Sequence, residues 1–248
     1  KALQDRAEVF WGAHDFPHPQ TKQFLTQMSQ FLQTPTHGQM ESPSSQHAFQ
    51  SCAVFSTGAE AVEAALRVVW AISPPSRNRV GALRYGFHGK TMGARMLVHW
   101  DIGTQCFSGN SILAYSPYCY RCPLQQKYPQ CDLLCAKLAV KQIAQKKQVA
   151  ALVFEPILAA AGVIVPPDEY WPMIAKACRD NGVLLVADEI STGGGRTGRA
   201  WGCDHWDIKP DLLVSGKALS SGFPFSFFLL LKSPHSIVSE QNYHLASV

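Results

Sequence analysis

The chain holds 248 residues, 46% of them hydrophobic and 16% charged, with a formal net charge of +4. That balance suits a globular domain with a sizeable core. The basic residues are scattered, with Lys146-Lys147 the single lysine doublet, so no nucleic-acid footprint is expected. No apolar run reaches the roughly 18 to 20 residues of a membrane span, and the greasiest segment, Phe223 to Leu231, is far too short. The first residues, KALQDRAEVFWG, lack the apolar core of a signal peptide. Eight cysteines in a chain of this size are expected to be reduced thiols of a cytoplasmic protein rather than a disulfide scaffold.

Residues 1–20 read as irregular, and the histidines His14 and His18 read as loop packing, because no further ligands are spaced to join them. Thr21 to Thr34 carries Phe24, Leu25, Met28, Phe31 and Leu32 on one helical stripe. Residues 35–50, rich in Pro, Ser, His and Gln, read as loop. Three regions follow: an amino-terminal helix and irregular segment over 1–50, a main domain over 51–232, and a divergent tail over 233–248.

Cys52 to Phe55 predicts a strand, followed by Ser56-Thr57-Gly58-Ala59 and a helix over Glu60 to Ile72. A strand, a small-residue turn and a helix start together form an anion site, since free N–H groups and the positive end of the helix dipole face the ligand. Ordinary capped helices begin the same way. Val80 to Tyr85 predicts the next strand, ending at Gly86-Phe87-His88-Gly89, and Ser111 to Tyr115 another. Cys119 and Cys122 are then spaced C-x2-C, and Cys131 and Cys135 C-x3-C. Such a set could hold zinc or an iron–sulfur centre, or form a loop of free thiols; the free-thiol reading is taken, with no metal. An amphipathic helix is predicted over Cys131 to Lys147.

Val149 to Phe154 predicts a buried strand ending in Glu155-Pro156, and Pro167 to Asn181 a helix with Trp171, Ile174, Ala175 and Cys178 on one face. Val183 to Ala187 is a continuous branched apolar run, the mark of a strand buried on both faces. Asp188 stands at its carboxyl end, the edge where open α/β sheets bind ligands. The turn Gly193-Gly194-Gly195-Arg196-Thr197-Gly198 lacks the Gly-Lys-Ser/Thr ending of a phosphate loop and reads as a wall of the site. Leu212 to Val214 predicts one more strand, running into Ser215-Gly216-Lys217.

Two strand ends can bring Asp188 and Lys217 to one pocket. The pair then has two readings: a structural ion pair, or a pyridoxal phosphate site. In such a site the lysine amine joins the cofactor aldehyde, and an acid keeps the pyridine nitrogen protonated. The same lysine, once displaced, can serve as a general base.

VADEISTGGGRTG followed by PDLLVSGKAL, with STGAEAVEAALR and EPILAAAGVIVPP upstream, resembles the class III aminotransferases, a pyridoxal phosphate family of fold type I. The resemblance covers most of the chain. It implies an α/β large domain with a mostly parallel sheet flanked by helices. The implied reaction moves an amino group from an amine or omega-amino acid donor to a 2-oxo acid, in a homodimer, with neither nucleic acid nor membrane as partner. It implies Lys217 and Asp188 as catalytic residues that also hold the cofactor. It further implies Thr57, Gly58 and Ala59 at the phosphate, Phe87 and Ile190 on the two ring faces, and His88 and Glu155 beside the cofactor.

Departures from the family pattern carry expectations too. A second glutamate found in many members is Ala160 here, which argues against a gated site for 4-aminobutyrate or ornithine. An aromatic of the family is replaced by Gly194. Family chains extend further at both ends, so the small carboxyl-terminal domain, a partner-reaching glycine-threonine segment and a substrate-carboxylate arginine are expected to lie outside this sequence. Two alternatives stay open: a non-catalytic cofactor-binding remnant or partner subunit, and a racemase or epimerase on the same scaffold.

Overall fold

A computed structural model of the chain describes residues 49–98, 111–145 and 147–231, together with Gln23, Thr26 and Gln27. The last three are helical, and the rest of the helix predicted over Thr21 to Thr34 lies outside the described residues, as do His14, His18 and the tail over 233–248. Seven strands form one sheet: β1 (Phe49–Phe55), β2 (Arg79–Leu83), β3 (Ser111–Ala114), β4 (Val149–Phe154), β5 (Leu184–Asp188), β6 (Leu212–Ser215) and β7 (Ser226–Leu231). Their order across the sheet is β1-β7-β6-β5-β4-β2-β3. Neighbours from β6 through to β3 are parallel, while β7 is antiparallel to both β1 and β6.

The mostly parallel sheet follows from composition. Every residue of β4, β5 and β6 is buried, as expected of strands covered on both faces. The helices supply the covers. α1 (Gly58–Ile72) packs against β1, β6 and β7 on one face, with Ala61, Val62, Ala65, Leu66 and Val69 in the core it forms. The one-turn α2 (Met92–Arg95) lies beside α1. On the other face α3 (Leu134–Gln145) and α4 (Tyr170–Asp180) pack on each other and on β3 and β5 respectively. There the Trp171 ring lies 4.5 Å from that of Phe154, and its indole N–H donates to Pro156 O at 2.9 Å.

Two boundaries differ from the sequence expectation for visible reasons. α3 starts at Leu134 rather than Cys131, because Asp132 and Leu133 take left-handed backbone at φ 48° and 52°. α1 starts at Gly58 because Thr57 closes a capping box: its Oγ accepts from Glu60 N at 3.3 Å while the Glu60 carboxylate accepts from Thr57 N at 2.7 Å. The strand β7 lies in the segment that the sequence marked only as greasy. Since it runs against its neighbours, its amino end lies on the same sheet edge as the carboxyl ends of the others.

Candidate active site

That edge carries a cavity of about 580 Å3, within the size range of small-molecule and cofactor sites. Its lining is assembled from segments far apart in sequence: Thr57, Gly58 and Ala59 after β1, Phe87 and His88 after β2, Asp188 and Ile190 at the end of β5, and Lys217 after β6. Phe223 and Phe225, which precede β7, complete the wall. Asp188 and Lys217 thus share one pocket, as their strand-end positions allowed. Asp188 pairs in register with Val214, three residues short of Lys217.

The acid side of the cavity is a buried network. His88 Nδ1 lies 2.7 Å from Asp188 Oδ2, and Ile190 N donates to Asp188 Oδ1 at 3.2 Å. Burial works against the charged imidazole, but the hydrogen bond and the negative charge of Asp188, helped by Glu155, outweigh it, so the His88 pKa is raised above its ordinary value. The second ring nitrogen of His88, Nε2, is buried with no hydrogen-bond partner. Glu155, expected beside the cofactor, is buried and does not line the cavity. Its carboxylate accepts from Phe87 N at 2.8 Å and Ala159 N at 3.3 Å, so it fixes the backbone behind the ring of Phe87. Burial, with the nearby charge of Asp188 adding to it, pushes the Glu155 pKa up to about 7.

The amine side is open. Lys217 is exposed and begins the short 3-10 turn Lys217–Ser220. Its Nζ donates to Ser191 Oγ at 2.7 Å. The sequence assigned Ser191 no role, and nothing in its type or spacing marked it. Gly58 and Ala59 carry the first amides of α1, which a helix leaves without internal partners. Ser226 Oγ donates to Thr57 O at 2.6 Å and so ties the start of β7 to this turn. A Cβ on Gly58 would come within 2.5 Å of Ile190 Cδ1, so the helix start and the Ile190 side chain close on each other across the cavity.

The glycine-rich turn is not part of the lining, contrary to its sequence reading. It lies behind the lysine turn: a Cβ on Gly194, whose φ is +68°, would meet Ala218 Cβ at 2.9 Å and Leu219 Cγ at 3.0 Å. No aromatic side chain has room there. The turn hangs on Glu189, which is fully buried and accepts from Gly202 N at 2.9 Å, Cys203 N at 2.8 Å and the Thr192 hydroxyl. Ala160 is exposed in the connection after β4 and is likewise absent from the lining.

Cys119, Cys122, Cys131 and Cys135 converge on a separate small cavity, lined also by Tyr118 and Leu124, and all four are free thiols. Among the described residues no three His, Cys, Asp or Glu side chains are grouped to hold a metal ion. No helix among them is long and apolar enough to cross a membrane.

The family model for class-III aminotransferases matches residues 17–244. The ornithine aminotransferase of Saccharomyces cerevisiae is 35% identical over 202 residues, covering 77% of this chain and 45% of that protein. The leucine/methionine racemase of Thermococcus litoralis is 34% identical over 146 residues, covering 56% of this chain and 33% of that protein. The chain therefore spans less than half the length of these curated relatives. Among solved structures, an amine transaminase from an uncultivated Pseudomonas species in a pyridoxal-phosphate-bound form has a TM-score of 0.74 at 28% identity, over 95% of this chain and 52% of that one. An (S)-enantioselective omega-transaminase from Thermomicrobium roseum has a TM-score of 0.74 at 26% identity, over 93% of this chain and 52% of that one. The family's cofactor is pyridoxal 5'-phosphate, and the cavity is lined by groups that suit that molecule: the Lys217 amine, the Asp188 carboxyl group and the first residues of α1. With its fold, its strand-end cavity and a family match over nearly its whole length, this chain belongs to the class-III aminotransferases.

Proposed function

We propose that this chain forms the cofactor-binding half of an enzyme that transfers an amino group from an amine or omega-amino acid to a 2-oxo acid. One observation carries the reading: Lys217, Asp188 and the start of α1 line a single cavity. When bound, pyridoxal phosphate supplies an aldehyde that amines can join and a ring that accepts electrons. Lys217 Nζ is the amine for that aldehyde and, once released, the base that takes and returns a proton. Asp188 holds the proton of the ring nitrogen, and His88 holds Asp188. The amides of Gly58 and Ala59, with Thr57, bind the phosphate at the positive end of the helix dipole. Phe87 and Ile190 would pack on the ring, and Glu155 keeps the Phe87 backbone in place.

Free thiols throughout the described cysteines support a reducing, cytoplasmic setting. The exposed side chains of Met92 and Phe223 near the cavity support burial against a second copy in a homodimer. The similarity to a racemase over 146 residues keeps a second reaction in view, in which the same proton is returned to the opposite face.

Absorbance spectroscopy with pyridoxal phosphate tests the assignment. The chain should develop a visible band on adding the cofactor, and Lys217→Ala should abolish it. Amino-group transfer to a 2-oxo acid, measured against loss of optical activity of a single amino acid, separates transaminase from racemase. A band without either reaction would leave a cofactor-binding subunit. No band from folded, cofactor-saturated protein would overturn the proposal.

A further inference from the structure

Ser191 and Lys217 come from the ends of neighbouring strands, β5 and β6, and their side chains meet inside the cavity at 2.7 Å. The two partners are not equally free. The turn that carries Ser191 is pinned on both sides. Ile190 N donates to Asp188 Oδ1, Gly193 N donates to Glu189 O at 2.8 Å, and the Thr192 hydroxyl donates to the buried Glu189 carboxylate. Lys217 by contrast is an exposed side chain with four rotatable carbons, and Ser191 is the side-chain partner that its Nζ finds. A flexible amine is therefore tethered to a fixed hydroxyl.

A hydroxyl is suited to this task in both charge states of the amine. It accepts a hydrogen bond from the ammonium and equally from an N–H of the neutral amine, whose lone pair then stays free to attack. A carboxylate at the same place would favour only the ammonium, which cannot attack an aldehyde. We propose that Ser191 is the positioning residue of Lys217, holding Nζ in the cavity in the orientation from which it joins the aldehyde of pyridoxal phosphate. This rests on the reading of Lys217 as the cofactor lysine. In the joining step Nζ forms a bond to the aldehyde carbon, and the aldehyde oxygen leaves as water with the two amine protons.

The test compares the cofactor-free full chain with its Ser191→Ala and Ser191→Thr variants. Pyridoxal phosphate is added, growth of the visible band is followed by stopped flow, and borohydride reduction with peptide mass mapping locates the label. Equilibrium binding of pyridoxamine phosphate, which has no aldehyde, is measured in parallel. Ser191→Ala should slow attachment at Lys217 roughly tenfold, the scale of one lost hydrogen bond to a charged group. It should leave pyridoxamine phosphate affinity unchanged, and Ser191→Thr should restore the rate to within about twofold of the parent, since the hydroxyl is what matters. Attachment by Ser191→Ala at the parent rate would overturn the inference. So would a parallel loss of pyridoxamine phosphate binding, which would make Ser191 a support of the cavity rather than of the amine. Absence of label at Lys217 in the parent chain would instead overturn the cofactor-lysine reading, and this inference with it.

Discussion

His88 and Asp188 stand 2.7 Å apart, both buried, one from the turn after β2 and the other from the end of β5. The imidazole orients the carboxyl group, so His88→Ala should leave Asp188 in the protein with its main side-chain partner gone. Loss of such a buried bond costs about 1–3 kcal/mol. Urea unfolding should show that loss, and titration with pyridoxal phosphate should show weaker binding by about tenfold. His88 also sets a pH dependence. Its folded pKa lies above the ordinary value of 6.5, so its stabilising contribution is fully present below that value and is lost as pH rises through the folded pKa.

Glu155 shifts stability in the same direction over a lower window. Its pKa moves from 4.5 to about 7 on folding, so the folded chain binds the proton more tightly than the unfolded chain does. Stability then falls between those two values as pH rises, with a slope of at most about 1.4 kcal/mol per pH unit. Glu155→Gln should flatten that slope. Thermal unfolding of both proteins from pH 4.5 to 8 reads it out, and parallel curves would count against the assignment.

Glu189 ties the two flanks of the glycine-rich turn together, accepting from the Thr192 hydroxyl before it and from the Gly202 and Cys203 amides after it, all buried. Glu189→Ala should destabilise the chain by roughly 3 kcal/mol or more, as several buried donors lose their acceptor together. The local consequence is separable: trypsin should cut after Arg196 faster in the variant than in the parent, at denaturant levels where both remain folded.

The cysteines should label in an order set by exposure and by thiolate formation. Cys119 is exposed, whereas Cys178 and Cys203 are buried and burial raises both of their pKa values, Cys178 to about 12. Iodoacetamide at neutral pH should modify Cys119 before the other described cysteines and reach Cys178 and Cys203 only on unfolding. Peptide mass mapping over time gives the order.

Much of this site could be read from local sequence because its side chains lie directly after strands. Val149 to Phe154 is a strand residue for residue, and Asp188 terminates the branched run before it, so a ligand edge could be located from apolar runs alone. The small-residue turn likewise marked the region where α1 begins, two residues ahead of the start expected at Glu60. Three things were not legible. The pairing of β7 between β1 and β6 is non-local, and its six buried residues look the same whichever strand they face. Glu155 was expected in the cavity, but a carboxylate next to a strand end can turn toward backbone amides as easily as toward a ligand. The Ser191–Lys217 bond depends on the neighbouring positions of β5 and β6, and a lone serine carries no pattern of its own.

The reversal at β7 constrains how such a site can vary. The chain leaves β6 at Ser215, passes Lys217, and must re-enter the sheet at Ser226 beside the strand it has just left. Both feet of that hairpin are set within the sheet, and Ser226 grips the turn at Thr57 as well. Residues 221–224 of the arch are exposed, so changes of length there can be taken up in solvent, whereas changes beside Gly216 or Ser226 would shift the anchored feet. The arch that carries Lys217 is therefore fixed at its two feet and free at its crown.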